Sequence, residues 1–137
     1  MKLINILKEM SVKKSDLPDG GDCFDSAFDY IIEHGPTNKN LRLVHSIVSG
    51  QGKLNGKRYT HAWCEDGDYV IDTSNGNSFE ILKMLYYGIG NVNPNQGKYY
   101  SYNEVLDLST KYGNKGPWEI ENKVYDEKYD PKTGFYN

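Results

Sequence analysis

The chain has 137 residues, a formal net charge of −3 and a sequence pI near 5.6, and this length favours a single domain over residues 1–137. The acidic balance gives no support for binding to nucleic acid or to an anionic membrane surface. No apolar run approaches the length of a membrane-spanning helix, and the N-terminus lacks the cleavage pattern of a signal peptide. We therefore expect a soluble, cytoplasmic protein with no membrane attachment.

The first predicted element is an amphipathic helix over residues 2–13, with a strand over residues 3–7 as the alternative. Its apolar stripe consists of Leu3, Ile4, Ile6, Leu7 and Met10. The loop that follows ends in Gly20 and Gly21, which let the backbone come close to the start of the next helix. Gly21 is therefore a candidate substrate-binding residue.

A second helix is predicted from Asp22, as its N-cap, to Glu33 or His34, where a Gly-Pro pair ends it. Cys23 then lies in the first turn. Unpaired N–H groups and the positive end of the helix dipole favour a thiolate at that position. Cys23 is therefore the candidate nucleophile.

Residues 41–48 are rich in branched side chains and predict a strand. This strand is predicted to continue through Gly50 to a hairpin turn at Asn55-Gly56, which returns the chain into His61. A two-residue turn there places Gly50 opposite His61. The glycine would leave space beside the imidazole for a thiol and a substrate, so Gly50 is a second candidate substrate-binding residue.

The dipeptide Asp66-Gly67, flanked by β-favouring residues, predicts a second hairpin with a type I′ turn. In that register His61 lies directly opposite Asp72, with the two Cβ atoms roughly 4.5 to 5.5 Å apart. A carboxylate hydrogen-bonded to one ring nitrogen fixes the tautomer and leaves the other nitrogen as a general base. The sequence thus predicts three antiparallel strands, with the His61 strand in the middle, and a thiol site made of Cys23, His61 and Asp72.

Trp63 shares the predicted face of His61, where it either lines the substrate cleft or packs as a core aromatic. Cys64 lies on the opposite face and should point away from Cys23, which argues against a disulfide between them. A zinc site built from Cys23, His61, Cys64 and a further histidine lacks the paired ligand spacing of such sites. We expect no metal and no other cofactor.

Two later segments resemble capping boxes that open helices, at residues 77–80 and 101–104, the second helix ending near Gly113. From Gly116 onward the tail is polar and aromatic without clear periodicity. We predict a core over about residues 20–73 and a helical, Tyr-rich extension over 77–137. His45 is interpreted as a packed or edge histidine.

The order of these motifs resembles the transglutaminase-like superfamily, part of the wider papain-like group. The resemblance rests on Gly21-Asp22-Cys23 with Ala27, the strand Arg42 to Gly50, His61-Ala62-Trp63-Cys64-Glu65, and Asp72 followed by Thr73. It implies an α+β fold in which an antiparallel sheet packs against a nucleophile-bearing helix, with Cys23 as nucleophile, His61 as base and Asp72 as its orienting partner. The chain lacks the proline that usually follows the Asp and the donor that often precedes the Cys.

The resulting hypothesis is an enzyme that cleaves or exchanges an amide bond of a protein or peptide through a thioester. Peptidase, isopeptidase and glutamine deamidase or transglutaminase chemistry remain open, and hydrolysis is favoured because a small open site offers no way to exclude water. The alternative is a catalytically silent binding or inhibitory module that uses the Tyr-rich half, residues 86–137. The sequence makes no prediction about oligomeric state.

Overall fold

The structure is a computed structural model that describes residues 22–50, 57–74, 78–125, 129–130 and 135–136. The predicted helix over residues 2–13, Gly21 and the predicted turn at Asn55-Gly56 lie outside these ranges.

The described ranges contain helices and strands in mixed order. The helices are α1 (Cys23–His34), α2 (Lys83–Ile89) and α3 (Tyr102–Tyr112). The strands are β1 (Leu41–Ser49), β2 (Arg58–Asp66), β3 (Tyr69–Asp72), β4 (Phe79–Leu82), β5 (Lys98–Ser101), β6 (Val124–Tyr125), β7 (Tyr129–Asp130) and β8 (Phe135–Tyr136). None of the helices within these ranges is long and apolar enough to cross a bilayer.

The main sheet is antiparallel and open, with the strand order β4-β3-β2-β1-β5, and β6 pairs with one end of β2. Strand β2 lies between β1 and β3, so the prediction that the His61 strand is the middle one of three is confirmed. The α+β class with an antiparallel sheet is also confirmed. Strands β7 and β8 pair with each other in a separate two-stranded ribbon.

Helices cover both faces of the sheet, which is why β2 is buried along almost its whole length. We call the side covered by α1 and α3 the α1 face and the other the α2 face. The α1 face buries, among others, Cys23, Leu43, Ala62, Cys64, Tyr100 and Val105. The α2 face buries Val44, Tyr59, Trp63, Val70, Tyr86 and Val92. Because side chains alternate between the two faces along a strand, the position of a residue in the strand decides which of the two clusters it contacts.

Helices α1 and α3 have the bounds expected from local signals. In α1 the N-cap position is Asp22 and the C-cap is Gly35, although the Asp22 side chain makes no capping hydrogen bond. In α3 the Ser101 hydroxyl accepts from the Glu104 N–H at 3.2 Å, and the Glu104 carboxylate accepts from the Ser101 N–H at 2.9 Å. Gly113 ends α3 with a left-handed φ of 70°.

The helix predicted from the box at residues 77–80 is wrong in its first turn. Phe79–Leu82 form strand β4, paired with β3, and helix α2 begins only at Lys83. Ile81 lies opposite Val70 in that pairing and is buried, so tertiary pairing wins over a weak capping signal. The segment after residue 77 thus contributes strands β4 and β5 to the same sheet as well as two helices.

Candidate active site

The hairpin between β2 and β3 turns one residue later than the sequence predicts. Asp66 pairs with Tyr69 and Cys64 with Ile71, so the two loop residues are Gly67 and Asp68. Gly67 has a φ of +59°, and Asp68 does not share a positive φ. This pattern matches a type II′ turn, which takes glycine at its first central position, rather than type I′.

As a result, His61 and Asp72 are not directly opposed, and that part of the prediction is wrong. Continuing the observed register places Asp72 across from Trp63, two residues along β2 from His61. A change of two residues keeps every side chain on its face of the sheet. The pair is therefore diagonal and still bonded, with 3.0 Å between Nε2 of His61 and Oδ2 of Asp72.

Four hydrogen bonds hold the buried carboxylate of Asp72. Oδ2 accepts from His61 Nε2 and from the Tyr86 hydroxyl at 2.9 Å. Oδ1 accepts from the N–H of Ser74 at 2.9 Å and from its hydroxyl at 2.6 Å. Burial alone would raise the pKa of Asp72, but the charge of His61 and the bonds from His61 and Ser74 lower it instead. Asp72 is thus a fixed carboxylate.

Sequence reasoning missed Tyr86 and Ser74. Ser74 follows Asp72 by two residues, the spacing of an Asx-type local bond, and this signal was available in the sequence. Tyr86 reaches Asp72 only because α2 folds back over the sheet, with its ring 5.1 Å from that of Trp63. No local pattern announces such a contact.

His61 is 2% exposed, and its surroundings favour the charged imidazole. Burial alone would lower the pKa of His61, but the negative charges of Cys23 and Asp72, with hydrogen bonding to both, raise the pKa well above its usual range. Nε2 is occupied by Asp72, so Nδ1 is the nitrogen left for chemistry. Nδ1 faces Cys23, although within the described ranges it makes no hydrogen bond of ordinary geometry.

Cys23 is the first residue of α1, as predicted, and its side chain is close enough to His61 to act on the imidazole. The last pair of the β2–β3 ladder is Cys64 with Ile71. His61 therefore lies on β2 beyond the end of that ladder, which lets the tip of α1 approach the imidazole from the α1 face. The structure thus brings the three predicted catalytic residues together.

The expected open site is wrong. Cys23 is 3% exposed and Asp72 is 0% exposed. The expected glycine beside His61 is wrong as well, because Ser46 lies directly opposite His61 and Gly50 donates its N–H to the carbonyl of Lys57 at 2.9 Å. The register of β1 against β2 thus differs by four residues from the predicted one, and a polar residue replaces the predicted gap.

Trp63 adopts the core alternative, since it is completely buried and its Nε1 donates to Oε2 of Glu65 at 3.1 Å. Cys64 points to the opposite face from His61, but it lies in the same apolar cluster as Cys23, so alternation does not separate the two sulfurs as expected. Both are free thiols. The Cys64 thiol donates to the carbonyl of Ala27 at 3.3 Å, and burial raises its pKa.

In the part of the chain that the structure describes, no group of three or more His, Cys, Asp or Glu side chains is arranged to hold a metal ion. The chain matches no protein-family model, no curated protein and no solved structure at a significant level. The relation to the transglutaminase-like superfamily stays a prediction.

Proposed function

We propose that the protein is a thiol enzyme of the transglutaminase-like or papain-like type that cleaves or exchanges an amide bond of a protein or peptide through a thioester at Cys23. The observation that carries the proposal is the buried His61–Asp72 pair, whose imidazole has a raised pKa beside a cysteine at a helix N-terminus. Perturbed titratable groups that converge in this way are typical of catalytic sites.

In the proposed mechanism, Nδ1 of His61 takes the proton of the Cys23 thiol and forms an ion pair with the sulfur. The sulfur attacks the amide carbonyl carbon, a C–S bond forms, and the carbonyl electron pair moves to oxygen. The intermediate collapses, the C–N bond breaks, and Nδ1 of His61 gives its proton to the leaving amine or ammonia. A water molecule then loses a proton to Nδ1 and attacks the thioester, which releases a carboxylic acid and restores the ion pair.

The N–H of Cys23 is one donor for the developing oxyanion. As the first residue of α1 it belongs to the first turn, whose N–H groups have no partner inside the helix. The dipole of α1 adds to the stabilisation of negative charge on both sulfur and oxygen. A substrate reaches this position through a local opening, because Cys23 and His61 are only 3% and 2% exposed.

Alkylation by iodoacetamide at neutral pH tests the proposal. In a Cys64→Ala background, Cys23 should be alkylated, because His61 and the N-terminus of α1 stabilise negative charge on the sulfur. His61→Gln should slow this alkylation, and Cys23→Ala should abolish both labelling and any amidase activity. Labelling that His61→Gln leaves unchanged, or activity that survives Cys23→Ala, contradicts the proposal.

A binding module remains the second candidate because a groove of about 790 Å³ lies on the α2 face. Its lining includes the exposed side chains of Leu82, Met84 and Leu85, together with Tyr87 and Tyr99. Contiguous exposed apolar side chains are typical of protein interaction sites. The labelling experiment separates the two candidates, because in a silent module no local opening would expose the buried Cys23, which would then hardly react.

A further inference from the structure

Ser46 carries a buried hydroxyl without a partner on the α2 face, on the strand next to His61. Within the described ranges Oγ of Ser46 has no hydrogen-bond partner, and Nδ1 of His61, which faces Cys23, makes no hydrogen bond of ordinary geometry. Ser46 is 0% exposed and lies directly across from His61 in the β1–β2 pairing. Directly opposed residues have Cβ atoms about 4.5 to 5.5 Å apart.

Buried polar groups are almost always hydrogen-bonded, so an unpartnered one calls for an explanation. The Ser46 hydroxyl, on the same side of the sheet as His61, therefore indicates the place of a further polar group. The rings of Tyr59 and Trp63 flank the imidazole with centroids 5.8 and 5.9 Å away. Because these two rings are the neighbours of His61 along β2, the polar neighbour that could share a ligand with Nδ1 is the Ser46 hydroxyl on β1.

We propose that Ser46 and His61 together hold the leaving amine and then the water that resolves the thioester, an inference that rests on the proposed function. Because Asp72 occupies Nε2, the group that exchanges protons with His61 must lie beside Nδ1. By microscopic reversibility the same position holds the departing nitrogen and the incoming water. The Ser46 hydroxyl has one donor and two acceptor lone pairs, so it accepts a hydrogen from either molecule.

Ser46 thus acts as a positioning residue for the second half of the reaction. The water gives one proton to Nδ1, its oxygen forms a bond to the acyl carbon, and the C–S bond breaks as the sulfur leaves as thiolate. The second hydrogen of the water is donated to Oγ of Ser46, which aims a lone pair at the thioester. A buried site that places its own water is able to hydrolyse a thioester without being open to bulk solvent.

Ser46→Ala tests the inference, with Thr60→Val as the matched control. Thr60 is on the opposite face of β2, next to His61 in sequence, and its hydroxyl donates to the carbonyl of Glu121 at 2.6 Å. Removing the unpartnered Ser46 hydroxyl should raise the Tm of the free protein, whereas removing the partnered Thr60 hydroxyl should lower it. The changes in Tm of the two variants therefore have opposite signs for a purely structural reason.

The kinetic readout uses p-nitrophenyl acetate, whose leaving group needs no proton from His61. The burst of nitrophenol reports acylation of Cys23, and the slow phase reports attack by water. Ser46→Ala should keep the burst and slow the second phase about tenfold, the loss of one hydrogen bond, while Thr60→Val keeps both phases. An unchanged slow phase in Ser46→Ala overturns the inference alone. The absence of a burst in the unaltered protein, or a burst that survives Cys23→Ala, overturns the proposed function itself.

Discussion

His45 allows a stability prediction whose size follows from its surroundings. The side chain is 0% exposed, and neither ring nitrogen has a hydrogen-bond partner within the described ranges. The rings of Phe24, Tyr100 and Trp118 surround it with centroids 5.0, 5.3 and 5.2 Å away. Burial lowers the pKa of His45 to about 3, because a charged imidazole has nothing there to replace its hydration.

Acid should therefore destabilise the protein through His45. In the unfolded chain the pKa of a histidine is about 6.5, so unfolding takes up a proton whenever the pH is below that value. Because the folded pKa is lowered, the contribution of neutral His45 is fully present above pH 6.5 and is lost as the pH falls toward 3. At about 1.4 kcal/mol per pH unit, the free energy of unfolding should fall by about 2 kcal/mol between pH 8 and pH 5 from this residue alone.

Urea unfolding of the unaltered protein and of His45→Met at pH 8, 7, 6 and 5 measures this effect. Methionine has a similar volume and does not titrate. The difference in free energy of unfolding between the two proteins should change by about 2 kcal/mol over that range, in favour of the variant at low pH. His61, whose raised pKa acts in the opposite direction, is common to both proteins and cancels. Parallel curves for the two proteins would refute the reasoning.

Two further substitutions test contacts that the structure adds to the sequence. Tyr86→Phe keeps the ring against Trp63 but removes a donor to Asp72, so urea unfolding at pH 7 should show a loss of about 1.5 to 3 kcal/mol in the free energy of unfolding. On acidification the variant should lose stability at a higher pH than the unaltered protein, because the pKa of Asp72 is less depressed. An unchanged pH dependence of stability in acid would contradict this. Ser101→Ala removes the cap of α3 and should lower the free energy of unfolding by about 1 kcal/mol. Glu104→Gln keeps an acceptor for the Ser101 N–H and should lower it by less. Equal losses in the two variants would contradict the capping box.

Local signals predicted the elements that depend on a few neighbouring residues. Helix α1 ends at the Gly35 signal, and α3 begins at a real capping box, because each signal is satisfied by the backbone next to it. The similar pattern at residues 77–80 failed because β3 offers an open edge to the alternating residues of β4. The contact of Tyr86 with Asp72 was beyond prediction for the same reason, since it depends on where α2 packs.

The registers of both hairpins were mispredicted, yet His61 and Asp72 were correctly placed on one face of the sheet, and the two results have one cause. Moving a two-residue turn by one position changes the pairing by two residues, and pairing that changes in even steps leaves the pattern of inward and outward side chains intact. Sequence therefore predicts which face His61 and Asp72 share, but not which residue lies beside each. The neighbour sets the environment of the imidazole: Gly50 beside His61 would have left open space, whereas Ser46 places a buried hydroxyl there.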